Sequence, residues 1–385
     1  MMTVFDYYQG TLFFSLLVLL LIISVIRGAA EKPAGGFALL SSVLTAVFVF
    51  AGKADQACWL LVSLAWYLGL ILFWQYEREK RGRAERLYHV VLVLSLVPLI
   101  CCKVSGLLHA SLFAFTGISY LTFRVVQILI EMYDGVITRV RVRDILTFFL
   151  FFPSFSSGPI DRSRRFEEDL TKRRTREEAL SLTADGFVQL LSGMIYKFIL
   201  AGVFFKAMAF LDTPDAVWYH RIGYAYAYGL YLFFDFAGYS RMAVGTAYVM
   251  GIELPGNFRA PFLAVDMRDF WDRWHITLSH WFRDFVFTRF VMYSTRRKWF
   301  RDRLTRACVG FMVNMGIMGL WHGLTPAYIL YGLYHGVLLA VTEVYQKKSS
   351  FYKKNKNRKC YRLVSWFVTM QMVFFGFYIF SGQLI

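Results

Sequence analysis

Four of the seven histidines in this chain, His275, His280, His322 and His335, fall in its last third among clustered Trp, Arg and Asp residues. Histidine accepts or releases a proton near neutral pH, so these positions are where acid–base chemistry would be sought first. His322 is the most informative. It follows the apolar run Phe311–Leu320 in the order Trp321-His322-Gly323-Leu324-Thr325-Pro326, where a helix ends. From Arg306 to His322 a helix rises roughly 24 Å, which carries the imidazole to or beyond the middle of an apolar layer about 30 Å thick. A neutral imidazole there suits a general base, and equally a helix cap bonded to a backbone carbonyl.

The other candidates are weaker. His335 lies in Tyr331-Gly332-Leu333-Tyr334-His335-Gly336. Gly332 and Gly336, one turn apart, form a small-residue stripe that lets another helix approach, and an interhelical hydrogen bond is the expected use of this histidine, ahead of catalysis. Within Trp271–Asp284 the spacing predicts a helix. Trp271, Trp274, His275, Leu278, Phe282 and Phe285 share one stripe, with Asp272, Arg273, Arg283 and Asp284 off it. His275 is therefore expected to point inward with the aromatics, as a core histidine or as an acid/base or substrate-orienting group. Asp235 and Asn314, polar residues in or beside apolar stretches, are further candidates for substrate contact. His89, His109 and His220 stand near span ends, where a histidine often sits at the headgroup level.

Missing motifs narrow the chemistry. The sequence has no G-x-S-x-G elbow, Walker-type loop, dinucleotide fingerprint or H-E-x-x-H pair. Cys58, Cys101, Cys102, Cys308 and Cys360 form no C-x-x-C pair and read as helix filler. Covalent serine or cysteine catalysis and ATP-driven transport thus have no support, and neither a metal nor a bound cofactor is expected. Proton transfer by a buried histidine remains, with both substrates brought from elsewhere.

The elements that must position these residues are membrane helices. Apolar residues make up 57% of the 385 and charged ones 18%, against roughly 45–50% and about 25% in soluble chains. A soluble protein so apolar would expose aggregation-prone patches. This excludes a cytosolic enzyme, a secreted disulfide scaffold and a disordered chain. The net charge of +17 comes from short basic clusters between apolar runs, which argues for topology and anionic headgroups and against nucleic acid. Candidate spans are Thr11–Ile26, Phe37–Ala51, Ala57–Gln75, Tyr88–Cys102, Leu107–Ile130, Phe187–Phe210, Ala216–Phe236, Cys308–Leu320, Ala327–Tyr345 and Leu363–Ile385. The first lacks a basic flank and cleavage site and reads as a retained span. Basic clusters at Arg78–Arg86, Arg139–Arg143, Arg162–Arg176, Arg296–Arg306 and Lys347–Arg362 all face one side if about ten to twelve crossings separate them, with both termini outside. That parity makes Ile145–Phe155, too short to cross, broken at Pro153 and followed by Ser156-Ser157-Gly158-Pro159, a re-entrant loop, which is tolerated only where protein or water satisfies its backbone. Met242–Met250 is too short to assign. One all-α polytopic domain is expected, with amino-terminal spans in 1–119, a motif-bearing core in 120–345, and a basic loop and last span in 346–385.

Four motifs in order then carry a resemblance. They are Ser156-Ser157-Gly158-Pro159-Ile160-Asp161-Arg162, Phe234-Asp235-Phe236-Ala237-Gly238-Tyr239-Ser240, Trp274-His275-Ile276-Thr277-Leu278-Ser279 with Trp281-Phe282-Arg283-Asp284, and Trp321-His322-Gly323. Together the chain resembles the membrane-bound O-acyltransferase (MBOAT) family across roughly Tyr120 to Gly336. Within it, Asp161, Tyr120-Leu121-Thr122-Phe123 and Glu131-Met132-Tyr133-Asp134-Gly135 lean towards the branch of teichoic-acid D-alanylation. The resemblance implies a ring of helices and re-entrant segments around a central funnel, with the family's catalytic histidine at His322 on the funnel floor and a second functional histidine at His275. It also implies a donor thioester on the phosphopantetheine arm of a DltC-like carrier protein, DltD-like and small DltX-like membrane partners, and lipoteichoic acid as acceptor in a bacterial plasma membrane. The basic segments Arg162–Arg176 and Arg296–Arg306 suit an acidic carrier. The alginate-acetylase branch is similar too, but often carries Asp where this chain has Arg241. A lipid or polyol transporter should show repeat symmetry, which the sequence lacks.

Overall fold

The computed structural model describes residues 6–107, 113–213 and 217–384; His109 lies outside them. Among the described residues there is one isolated bridge, Asp6 to Gln9, no strand, and helix nearly everywhere else. The helices are α1 Gly10–Ala29, α2 Gly35–Phe50, α3 Ala54–Arg81, α4 Glu85–Leu107, α5 Ile118–Asp134, α6 Val142–Leu150, α7 Ser163–Thr171, α8 Arg176–Met194, α9 Ala201–Leu211, α10 Trp218–Val249, α11 Met267–Trp271, α12 Ile276–Phe282, α13 Thr288–Arg296, α14 Arg303–His322, α15 Pro326–Lys348, α16 Ser350–Asn355 and α17 Lys359–Phe380. A π-turn at Ile195–Leu200 joins α8 to α9, and another at Arg283–Phe287 joins α12 to α13.

Among the described residues, seven segments are long and apolar enough to cross a membrane: α1, α3, α4, the rod Arg176–Leu211, α14, α15 and α17. The chain is a multi-pass membrane protein, as its composition requires. Three other expected spans differ in kind. Helix α2 is apolar but has 16 residues. Helix α10 has 32 residues, takes in Met242 to Val249, and carries Arg221, Asp235 and Arg241. The run expected at Leu107–Ile130 overlaps residues outside the description, and its helix, α5, begins only at Ile118, behind Gly117 at φ +99°. Helix α5 is buried in protein along most of its length, with Arg124 2% and Gln127 0% exposed. Hydropathy registers apolar content and cannot separate a lipid-facing helix from one enclosed by its neighbours.

The described chain divides into two compact units, Met1–Met194 with Tyr239–Pro255, and Ile195–Gly238 with Gly256–Ile385. In the first, the expected break after Ile145 is present: α6 ends at Leu150, a single 3₁₀ turn spans Phe152–Ser154, and the chain then runs without helix to Arg162. This segment is buried, with Phe149, Phe151, Phe152 and Phe155 at 0–1% exposure. Its freed carbonyls need donors, and Arg124 supplies them. The guanidinium donates to the carbonyls of Phe148 (2.5 Å), Phe149 (2.9 Å) and Ser154 (2.6 Å), and to Ser154 Oγ (2.8 Å). Ser42 on α2 accepts from the Phe152 amide at 3.1 Å, and Gln127 donates to the Asp161 carbonyl at 3.0 Å. Beyond the break, Asp161 pairs with Arg165, while Arg174 donates to Asp169 at 2.8 Å and to the Gly251 carbonyl at 2.6 Å.

Replacing Arg124 by Met keeps its length but orphans these acceptors, at about 1–3 kcal/mol for each one left unpaired. Arg124→Met is expected to lower the thermal unfolding midpoint of the detergent-purified protein by several degrees. An unchanged midpoint would show that the break does not depend on Arg124.

Candidate active site

All five sequence-selected site residues lie in the second unit. Its centre is the helical hairpin α14–α15. Gly319 and Gly332 meet across it: a Cβ on Gly319 would lie 2.5 Å from the Tyr328 carbonyl oxygen and 3.1 Å from the Gly332 Cα, and one on Gly332 would strike the Met315 carbonyl. Gly336 faces Met312 in the same way, at 3.1 Å from its sulfur. The glycine stripe expected around His335 is therefore the seam of this hairpin.

His322 is the last residue of α14. It is half-buried among aromatic rings: Trp321 at 4.6 Å between centroids, Phe380 of α17 at 5.1 Å, and Tyr328 and Tyr331 of α15 at 6.1 Å each. Gly323 follows in extended backbone (φ 179°). A Cβ there would run into the Tyr328 ring, so the glycine of the Trp-His-Gly motif is what lets Tyr328 pack beside the imidazole.

His275 is placed differently from the sequence expectation. The helix expected across Trp271–Asp284 is interrupted: α11 ends at Trp271, α12 starts at Ile276, and His275 between them is left-handed at φ 44°, ψ 53°. A residue with a Cβ adopts that conformation at a cost and needs its surroundings to hold it. Asn257, 2% exposed, does so. Its carbonyl accepts from the Ile276 amide at 2.8 Å and its Oδ1 accepts from Thr277 Oγ1 at 2.5 Å, which satisfies groups that a new helix start leaves free. Sequence periodicity misses this because the break is stabilised from a residue 18 positions upstream. The inward direction expected for His275 is present: it is 5% exposed and packs edge-on to Phe236 at 4.6 Å. Its Nδ1 is buried without a hydrogen-bond partner. His275 lies outside the seven spanning segments. Burial, and secondarily the charge of His322, pushes its pKa down to about 3, so it is neutral at physiological pH. The same interaction shows that the two histidines lie within electrostatic reach of each other.

His335 overturns an expectation. It is 0% exposed, enclosed by Tyr331 (4.6 Å), Trp271 (5.2 Å) and Tyr334 (5.3 Å), with Gly376 of α17 against its Nε2. Neither ring nitrogen has a hydrogen-bond partner among the described residues, so it makes no interhelical hydrogen bond. Asp235 is also not an isolated acid: Lys197, in the π-turn of the α8–α9 rod, donates to it at 2.5 Å. This pair joins residues 38 apart and has no local sequence signal. The same face of α10 carries Tyr224, Tyr228 and Tyr231, with successive rings 6.1 and 6.5 Å apart, and Tyr228 is within electrostatic reach of Tyr328 and Tyr331 beside His322. These tyrosines are the site features that the sequence reading passed over.

Asn314, 8% exposed on α14, borders a cavity of about 290 Å³ together with Trp271, Ser279, His280, Arg268 and Arg283. The Trp271 Nε1 donor and the Asn314 Oδ1 acceptor are buried there without a protein partner. Arg268 bonds Glu343 at 2.7 Å and Arg283 bonds Asp284 at 3.0 Å. Buried polar atoms of this kind are normally satisfied, so this wall has the hydrogen-bonding capacity to receive a polar ligand. Among the described residues no cluster of His, Cys, Asp and Glu could hold a metal ion.

The described helices place a half-buried histidine at the end of a spanning helix and a second, buried histidine within electrostatic reach of it. The profile of the membrane-bound O-acyltransferase family, MBOAT, matches residues 42–381. The chain belongs to this family and is a membrane acyltransferase. The teichoic acid D-alanyltransferase of Bacillus subtilis (strain 168) is 37% identical, covering 98% of this chain and 98% of that protein. The teichoic acid D-alanyltransferase of Streptococcus thermophilus (strain ATCC BAA-250 / LMG 18311) is also 37% identical, over 90% of this chain and 89% of its own length. The probable alginate O-acetylase AlgI of Pseudomonas syringae pv. tomato (strain ATCC BAA-871 / DC3000) is 30% identical over 69% of this chain and 49% of that protein.

The hairpin seam gives a paired test. Gly332→Val places methyls against the Met315 carbonyl, whereas Gly316, one residue along α14 from Met315, has open space around a new Cβ. Overpacking of this kind costs about 1–3 kcal/mol. Gly332→Val is therefore expected to lower the thermal midpoint by several degrees and Gly316→Val to leave it near wild type; equal effects would remove the seam from the account.

Proposed function

We propose that this protein transfers a D-alanyl group from a carrier-protein thioester towards lipoteichoic acid, with His322 as general base. The observation that carries the reading is His322 itself: a histidine at the end of α14, held among Trp321, Tyr328, Tyr331 and Phe380, in a chain 37% identical to a D-alanyltransferase over nearly its full length. His322 removes the proton from the attacking hydroxyl as the oxygen bonds to the thioester carbonyl carbon. The carbon–sulfur bond then breaks, and the sulfur leaves and is protonated as the thiol. Base catalysis of this type contributes about 10²–10⁴-fold. His275, neutral and with an unpaired Nδ1, is unsuited to take the proton and suited to orient a substrate by hydrogen bonding. The Tyr228–Tyr231 face of α10, with the Lys197–Asp235 pair, offers hydroxyl and charged groups for a polar acceptor.

The cavity beside Trp271 and Asn314 suits a phosphopantetheine arm. The indole N–H and the amide oxygen complement amide groups on the arm, and Arg268 and Arg283 complement its phosphate. The exposed residues Arg296, Arg297, Lys298, Arg301 and Arg303 form a basic face suited to an acidic carrier protein of the DltC type. DltD-like and DltX-like partners belong to the same reading. So do a bacterial plasma-membrane location, both termini outside, and Ile145–Phe155 as a re-entrant segment.

The test uses purified protein in liposomes, supplied with a carrier loaded with labelled D-alanine and with a lipoteichoic-acid or partner acceptor, with labelled acetyl-CoA as the comparison donor. Carrier-dependent transfer is expected, falling about 10²–10⁴-fold in His322→Ala. Transfer unaffected by the mutation would move the base elsewhere. Activity with acetyl-CoA alone would replace D-alanylation with acetylation.

A further inference from the structure

We propose that the groove formed by the C-terminal half of α15, by α16 and by the N-terminal half of α17 binds one anionic phospholipid of the surrounding bilayer. The groove, about 890 Å³ in volume, changes chemistry along its length. At one end Val341, Val364 and Val368, exposed at 58%, 62% and 43%, form with Met372 an apolar trough on the spanning helices α15 and α17. At the other end Lys356, Arg358 and Arg362 line the mouth. Among the described residues none of these three has a carboxylate partner. Of the two acids nearby, Glu343 is paired with Arg268 at 2.7 Å and Lys347 at 2.9 Å, while Asp266, which also lines the groove, is held by neutral donors, Gln346 and the Asp269 amide at 2.9 Å each, so the three cations outnumber the one unpaired carboxylate.

Between the two ends sit Tyr345, Tyr352 and Tyr361, with ring centroids 5.6–6.1 Å apart and the Tyr361 hydroxyl donating to that of Tyr345 at 3.3 Å. Amphipathic aromatics collect where hydrocarbon meets headgroups. Apolar trough, tyrosine boundary and excess cations thus follow the order acyl chain, glycerol and phosphate of a single anionic lipid. A soluble anion would have no use for the trough, and a zwitterionic lipid would leave the cations in excess. Basic pockets between membrane helices take anionic headgroups in this manner, at roughly a fivefold gain per cation. The groove is joined to the histidines by two of its own helices: α15 carries Tyr328, Tyr331 and His335, and α17 begins beside the basic mouth and ends at Phe380, 5.1 Å from His322. A bound headgroup therefore anchors the helix that forms one wall of the His322 surroundings.

The full chain, reconstituted in phosphatidylcholine liposomes with a trace of phosphatidylglycerol bearing a photoreactive acyl chain, is irradiated and the labelled peptides are mapped. Label is expected on the trough residues of α15 and α17. It is expected to fall about tenfold or more in the variant Lys356→Gln, Arg358→Gln, Arg362→Gln, and to persist in Lys80→Gln, Arg81→Gln, Arg86→Gln, which removes equal charge elsewhere. Val364→Trp, which fills the trough and alters no charge, is expected to reduce labelling independently of any effect of the triple variant on folding, which size-exclusion elution monitors. Equal labelling by a photoreactive phosphatidylcholine, or equal loss in both triple variants, would overturn the proposal. Competition by inorganic phosphate would overturn it in favour of a soluble-anion site.

Discussion

The glycine contact between α14 and α15 is the constraint on which the site depends. In a bilayer, helices gain nothing from hiding apolar surface from lipid, so their association rests on close packing of small residues and on hydrogen bonds. Gly319 and Gly332 supply that packing. The hairpin then fixes the distance between the end of α14, where His322 sits, and the first turns of α15, which bring Tyr328 and Tyr331 beside it. Helix α17 completes the enclosure with Phe380 on His322 and Gly376 against His335. A larger side chain anywhere along this seam would open the walls of the imidazole's surroundings before touching the imidazole.

A second constraint recurs within each unit: a helix broken inside protein leaves backbone groups that something must satisfy. In the first unit Arg124 donates to the carbonyls freed where α6 ends. In the second, Asn257 accepts from the amide freed where α12 begins. Arg124 acts through its side chain, and Asn257 through its main-chain carbonyl and its side-chain oxygen together. This break, stabilised by Asn257, takes His275 out of a regular helix, and its buried Nδ1 has no hydrogen-bond partner.

The two histidines are unequal for a physical reason. Burial holds His275 neutral and leaves it able only to donate or accept a hydrogen bond. His322 is half-buried at a helix end, among rings that carry hydroxyl groups. That inequality supports assigning the proposed proton transfer to His322 and the proposed orientation of substrate to His275. His335, close in sequence and more deeply enclosed, shows that a buried histidine in such a fold need not find any partner.

Residue type and local spacing determined the membrane class, the position of His322 at a helix end, the small-residue seam at Gly332 and Gly336, and the break between Leu150 and Arg162. Each follows from hydropathy, from helix rise, or from Pro and Gly placement within a dozen or so residues. The tertiary structure alone decided that Lys197 neutralises Asp235, that Asn257 holds His275 in a left-handed conformation, that His335 has no hydrogen-bond partner, and that α5 is enclosed by protein. These depend on groups brought together from distant positions in the chain. Pairing and burial are properties of what surrounds a side chain, and a periodic pattern carries information only about the face of the helix on which it lies.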